Sequence, residues 1–324
     1  MIDFKEPKRL SVAPMIDWTT PEYRYFARLL NPHAHLYTEM ISTSAILYGN
    51  TERLLRHDDM EQPLVLQLGG SHGEQMTQCA MIGQQHGFNE ININVGCPSD
   101  RVQHNKIGAC LMAEPHTVAT LVKQMQTAVD IPVTVKHRIG IDDFDSYEFM
   151  KTFVEQVAEA GCRRFIVHAR IAWLQGLSPK QNRDIPPLRY DDVYRLKQDF
   201  KSLQIEINGG IDDIEQIKQH LHHVDGVMIG RAFYHNPYLL AECNQLWGSA
   251  VPTRRQIIEQ LLPYLQQQVD NGEPLMTMVR HYLGLFQGLS GARKWRQALS
   301  GKRTMTVAQV ADAAEQVFMA NPDV

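Results

Sequence analysis

Residues 205–231 read IEINGGIDDIEQIKQHLHHVDGVMIGR, and this stretch decides the fold. A β-rich run at 205–208 turns at Gly209 and Gly210, and an amphipathic helical stretch follows at 214–220. A second run at 226–229 then stops at Gly230. That second run is apolar on both faces, as a parallel strand covered by helices must be. Upstream the same unit recurs, with β-rich runs at 10–15, 36–38, 64–68, 90–95, 133–136 and 164–168, making eight in all. Helical periodicity fills the gaps most clearly at 23–30, 73–86, 117–129, 147–160 and 191–200. Strand and helix alternating eight times within some 240 residues read as an α/β fold, a (β/α)8 TIM barrel. A doubly wound sheet also alternates, but usually has fewer strands before a domain break.

After Trp247 the strand signal ends. GSAVPTRR at 248–255 reads as a linker and helix start, and helical periodicity continues at 254–271, 276–288, 293–299 and 306–319. The expected organisation is a catalytic barrel at 1–248 and a small all-helical domain at 249–324.

With 44% hydrophobic and 21% charged residues, the 324-residue chain has the profile of an ordinary soluble protein. Its formal net charge of -4 removes any global argument for nucleic acid, which must rest on local charge. The five cysteines form no CxxC pair, so neither a zinc ribbon nor a disulfide framework is indicated. MIDFKEPKRL carries no apolar signal region and no long apolar run follows, so a cytoplasmic protein without a membrane span is expected.

Barrel active sites lie at the C-terminal ends of the strands, which selects the candidate residues. Cys97, in NVGCPS, sits just past the fourth run, where Pro98 stops the strand and Gly96 permits an unusual turn. Most free cysteines are small buried apolar residues, and Cys79 and Cys162, in helical patterns, fit that description. Lys136 lies near the end of the fifth run, where burial is costly unless an anion or polar ligand receives it. His168 and Gln67 end the sixth and third runs. Two glycine tips, Asn208-Gly209-Gly210 and Gly230-Arg231, follow runs seven and eight, where barrels often bind phosphate. A phosphorylated planar cofactor fits such a mouth. FMN suits it, and pyridoxal phosphate is the rival. No Rossmann fingerprint and no set of residues at metal-ligand spacing is visible, so no metal is expected. The long, basic, Pro-containing stretch from His168 to Tyr190 follows run six and therefore lies at the mouth.

The last segment supplies the partner. Between Leu275 and Arg303 there are six cations, Arg280, Arg293, Lys294, Arg296, Lys302 and Arg303, and no acid; His281, Tyr282 and Trp295 are interleaved. A solvated helix face normally mixes both signs, so this stripe suits a phosphate backbone.

With these motifs in view, the chain resembles the tRNA-dihydrouridine synthases, most closely their bacterial A-type branch. The resemblance covers nearly the whole sequence. It is carried by SVAPMIDWT at 11–19, LQLGG at 66–70, INVGCPS at 93–99, VKHRIGID at 135–142, VHAR at 167–170, INGGI at 207–211 and MIGRAFYHNP at 228–237. The branch assignment leans on LSPKQNRDIPPLRY at 177–190 and GLSGARKWRQALS at 288–300. The resemblance implies reduction of uridine in the tRNA D-loop at positions 20/20a, with tightly but non-covalently bound FMN and with NADPH as reductant. A monomer is expected. It further implies FMN contacts from Pro14, Met15, Ile16, Gln67, Lys136 and His168, and from Asn208, Gly209, Gly210, Gly230 and Arg231. Uracil or tRNA contacts fall on Asn94, Arg101, Arg170, Lys180 and Arg183, with Arg293, Arg296, Lys302 and Arg303 in the tail. Cys97 becomes the acid that protonates C5 of the uracil after hydride arrives from reduced FMN at C6; an ordinary thiol is mostly protonated at neutral pH, which suits that role. Two other readings compete. An FMN barrel acting on free pyrimidines, of the dihydroorotate dehydrogenase kind, has no use for the basic tail. A catalytically silent RNA-binding protein leaves Cys97, Lys136 and the paired glycine tips unexplained.

Overall fold

The computed structural model describes residues 9–99, 106–301 and 305–322. Eight parallel strands are formed: β1 Arg9–Val12, β2 Leu36–Ser42, β3 Leu64–Gly69, β4 Glu90–Val95, β5 Val133–Arg138, β6 Arg164–His168, β7 Gln204–Asn208 and β8 Gly226–Ile229. They pair in the order β1-β8-β7-β6-β5-β4-β3-β2. The ring closes at a parallel bridge between Ser11 and His35, where His35 N donates to Leu10 O at 2.8 Å and Val12 N to His35 O at 2.9 Å. The architecture is the expected (β/α)8 barrel. Three strands depart from the sequence reading: β5 runs two residues further, to Arg138. β1 stops at Val12, which frees residues 13–15 for the mouth, and β2 runs on to Ser42 because an irregularity between Tyr37 and Met40 restores its pairing with Gln67 and Leu68.

The helix Tyr147–Glu159 shows how the outer layer forms. Ser146 caps it by accepting from Phe149 N, and Tyr147, Met150, Phe153, Val154 and Val157 recur at three- and four-residue intervals on its buried face. Burying each of these side chains stabilises the fold by about 1.5–3 kcal/mol. Gly161 at φ +112° then turns the chain toward β6, and Cys162 lies in this turn, buried, rather than in a helix.

Inside the barrel the side chains form tiers. At the N-terminal end, Arg9 and Arg164 face Glu90 and Glu206: Arg9 reaches them at 3.1 and 3.0 Å, and Arg164 at 2.5 and 3.7 Å. Above them Tyr37, Val65, Ile166, Met228 and Ala13 make an apolar plug. Polar residues of β3 to β7 continue from there to the mouth.

The chain beyond Trp247 is helical, with Arg254–Asp270, Leu275–Val279, Ala292–Ser300 and Val307–Ala320. The helix expected at 276–288 ends early. A Cβ on Gly284 would stand 2.2 Å from His235 O, and Gly288 and Gly291 adopt left-handed φ of +84° and +87°, so residues 280–291 form turns. The aromatic residues interleaved with the cations are not on the surface. His281, Tyr282 and Trp295 are buried, His281 bonding Thr20 Oγ1 and Tyr234 OH, and Trp295 Nε1 donating to Tyr282 O. Tyr282 packs on Phe26 of the barrel and Trp295 on Phe286 within the tail, where their apolar surface is more stable than in water, so the stripe is basic without being aromatic. Among the described residues no helix is long and apolar enough to cross a membrane.

Candidate active site

The C-terminal ends of the strands open into a cavity of ≈ 720 Å³, a size suited to a cofactor with substrate beside it. Its floor holds Gln67, Asn94, Lys136, His168 and Asn208, its wall carries Cys97, and Pro14, Met15 and Ile16 overhang one side. The structure brings these residues, singled out in the sequence, together at one cavity.

Cys97 is half-buried on a turn that the end of β4 builds. The turn does not depend on Gly96 in the way the sequence suggested. The φ of Gly96 is not in the left-handed region, and a Cβ there would meet only His137 and Lys136 backbone at 3.6 Å, an ordinary contact. The turn is held instead by Asn94, whose Oδ1 accepts from Gly96 N at 3.1 Å and Cys97 N at 2.9 Å. Cys97 O accepts from Ala109 N at 2.9 Å.

Arg138 is the residue the sequence reading passed over. Its buried guanidinium donates to Gly96 O at 2.9 Å, Ile171 O at 3.0 Å and Asn182 O at 2.9 Å, joining the Cys97 turn to the loop after β6. The available signal was its alternation with Lys136, which places both side chains on the inner face of β5. Asn182 organises that loop from within, bonding Trp173 on both sides and Leu177 O. The long basic segment is thus an ordered wall.

The cavity is electropositive. Among the described residues Lys136, Arg138, Arg183 and Arg231 line it against one carboxylate, Asp212. Burial, and then the nearby Arg138, bring the Lys136 ammonium down to about 7, and it makes no hydrogen bond among the described residues. Burial and the surrounding cations hold His168 well below the usual imidazole range, so its ring is neutral, and Nδ1 is buried without a partner. Arg231 is engaged, donating to Asp184 Oδ1 at 2.8 Å and Arg183 O at 3.3 Å, so a phosphate there would have to share or displace the carboxylate.

At the first glycine tip both the backbone conformation and the neighbours exclude a side chain. Gly209 and Gly210 have φ of +117° and +71°; a Cβ on Gly209 would press within 3.2 Å of His168 Cε1 and one on Gly210 within 2.5 Å of Leu188. An unpaired ammonium, an orphaned imidazole nitrogen and a backbone cradle without side chains fit a flat, anionic cofactor.

Other expected contacts lie apart. Arg170 donates to Pro186 O and does not line the cavity, and Lys180 is exposed near the rim. Arg293, Lys294 and Arg296 are exposed on the outer face of Ala292–Ser300, opposite buried Trp295 and Leu299. Arg280 instead braces the mouth, donating to Asp17 O at 2.8 Å. Arg101, Lys302 and Arg303 lie outside the described residues.

Comparison with known proteins adds to this geometry. Residues 11–321 match the family model described as dihydrouridine synthase (Dus). The chain is 58% identical over 294 residues to the tRNA-dihydrouridine(20/20a) synthase of Synechocystis sp., covering 90% of this chain and 88% of that one. It is 55% identical over 296 residues to the protein of the same name from Shewanella oneidensis, covering 90% and 88%. Among solved structures, morphinone reductase superposes with a TM-score of 0.53 at 14% identity, over 77% of this chain and 88% of that one. A 2-naphthoyl-CoA reductase complex does so at 0.54 and 11%, over 74% and 50%. At such identities these two structures support the barrel alone.

Proposed function

The chain belongs to the dihydrouridine synthase family, and on that premise we propose that it reduces uridine to 5,6-dihydrouridine at position 20/20a of tRNA, using FMN and NADPH. The observation that carries the reading is the company Cys97 keeps: an unpartnered Lys136 and an orphaned His168 Nδ1 in the same cavity. When bound, FMN supplies the two-electron reduction of the uracil, replenished by NADPH. Lys136 and His168 hold its ring, and the glycine tips with Arg231 hold its phosphate. The target base must leave the stack to reach the cavity floor. Arg183 and Lys180 receive the backbone around it, and Cys97 delivers the proton to C5 as general acid. Residues 249–324 act as the tRNA grip, with Arg293 and Arg296 on its open face. Purified protein is expected to be yellow and to release FMN on denaturation; a colourless protein that FMN cannot reconstitute would end this reading.

Lys136 provides a pH test. An unfolded lysine titrates near ~10.4, whereas the folded one sits at about 7. Between those values the empty folded site therefore binds fewer protons than the unfolded chain. A ligand that needs the ammonium must then drive proton uptake, on the order of half to one proton at pH 8. Calorimetric titration of deflavinated protein with FMN, in buffers of different ionisation enthalpy, reads it directly. Lys136→Met is expected to abolish the uptake; a wild-type site that takes up none would show that FMN does not engage this ammonium.

The tail provides a second test. Arg293, Lys294 and Arg296 form no ion pair among the described residues, so their charge is available to phosphate. Replacing all three by alanine is expected to weaken tRNA binding and to flatten the slope of log K against log salt by about two to three. FMN absorbance and NADPH oxidation stay as they were. An unchanged slope would leave the RNA to the barrel loops alone.

A further inference from the structure

A single directional chain of hydrogen bonds runs through the barrel from its ionic floor to Cys97. Thr134 Oγ1 donates to Glu90 Oε1 at 2.7 Å and accepts from Asn92 Nδ2 at 2.9 Å. Asn92 Oδ1 accepts from Gln67 Nε2 at 2.8 Å, and Gln67 Oε1 accepts from Asn94 Nδ2 at 2.8 Å. Asn94 Oδ1 then takes the backbone N–H groups of Gly96 and Cys97. Thr134, Asn92, Gln67 and Asn94 are all buried, Thr134 and Asn92 away from the cavity and Gln67 and Asn94 at its floor.

The polarity of this relay is fixed at both ends. The Glu90 carboxylate, between Arg9 and Arg164, only accepts, and a backbone N–H only donates. Turning one amide end for end sets nitrogen against nitrogen and oxygen against oxygen at its neighbours. Turning all three sets the Asn94 amide group against the N–H of Gly96 and Cys97. Only one arrangement satisfies every member, and satisfied buried networks are rigid.

We propose that Thr134 and Asn92 are positioning residues for Cys97: with the Thr134 hydroxyl donating its hydrogen bond to Glu90 and accepting from Asn92, they orient the amides so that Asn94 holds the turn carrying the thiol. Neither lines the cavity, so each acts through others. The inference rests on the reading of Cys97 as the proton donor.

Thr134→Val keeps the shape of the side chain and removes the hydroxyl, whereas Thr134→Ser keeps the hydroxyl. In the holoenzyme, flavin reduction by NADPH and flavin reoxidation by tRNA are followed separately by stopped flow. Hydride transfer to C6 is reversible until C5 is protonated, so net reoxidation is expected to fall about tenfold in Thr134→Val, the scale of a slightly misplaced catalytic group, and to return to within about twofold of wild type in Thr134→Ser. Reduction by NADPH stays unchanged in both. Alkylation of Cys97 by iodoacetamide, measured without turnover, is expected to speed up in the valine variant and not in the serine variant. Equal reoxidation and equal alkylation in wild type and Thr134→Val would overturn the proposal and leave the relay as core satisfaction only. If Thr134→Val does not fold, Asn92→Ala breaks the next link and is read the same way. A wild-type flavin that tRNA does not reoxidise would sink the proposed reaction instead, and the alkylation comparison would still decide the relay.

Discussion

Replacing Cys97 with alanine is expected to lower dihydrouridine formation by about 10²–10⁴-fold, the usual worth of a positioned general acid. The thiol is needed only when C5 of the uracil is protonated. Flavin content and the rate of flavin reduction by NADPH are therefore expected to stay near wild type, which separates lost chemistry from lost structure. The turn itself is expected to survive, because Asn94 holds it through the backbone of residues 96 and 97 and not through sulfur. Cys110 is the control. It is partly buried, its Sγ lies 3.3 Å from Ile107 O, and burial raises its thiol above the ordinary range. Cys110→Ala is expected to keep turnover; losing it there while Cys97→Ala kept it would name the other cysteine.

Replacing Glu206 with alanine is expected to be strongly destabilising, costing about 3 kcal/mol, because it removes a buried carboxylate from two half-buried cations and leaves them short of a counter-charge. Glu206 is 1% exposed and faces both Arg9 and Arg164, with Ser11 Oγ donating to it at 2.8 Å. Glu90 already faces both guanidiniums, so without Glu206 one carboxylate is left for two cations. The melting temperature is expected to drop by on the order of ten degrees. An unchanged melting temperature would mean that water reaches the barrel floor and screens the charges.

The barrel was legible because both its signals are local. Runs apolar on two faces mark strands covered by helices, and glycine tips end the last two of them at Gly209 and Gly230. The position of Cys97, Lys136 and His168 followed from the same register, since a residue at a strand's C-terminal end must face the mouth. The cofactor was less legible: Lys136 beside a phosphate cradle admits pyridoxal phosphate as well as FMN, and only the resemblance favoured one. What was not legible is whatever depends on contacts distant in sequence. Nothing around Arg138 announces that it reaches residues 171 and 182, and nothing in Thr134 announces Glu90. The tail misled in part because a linear count of cations and aromatic residues does not tell which face is buried. The turn that displaces 280–291 from helical periodicity puts Arg280 against Asp17 and His281 inside, and leaves Arg293, Lys294 and Arg296 as the described cations of the stripe on the open face.

The most direct test of the proposed reaction is to incubate the purified protein with NADPH and tRNA transcribed without modifications, and to map the product by mass spectrometry after nuclease digestion. The expected result is a gain of two hydrogens at uridine 20, 20a or both, dependent on NADPH and slowed about 10²–10⁴-fold with Cys97→Ala. Unaltered tRNA, with NADPH consumed instead by free uridine or another free pyrimidine, would contradict it.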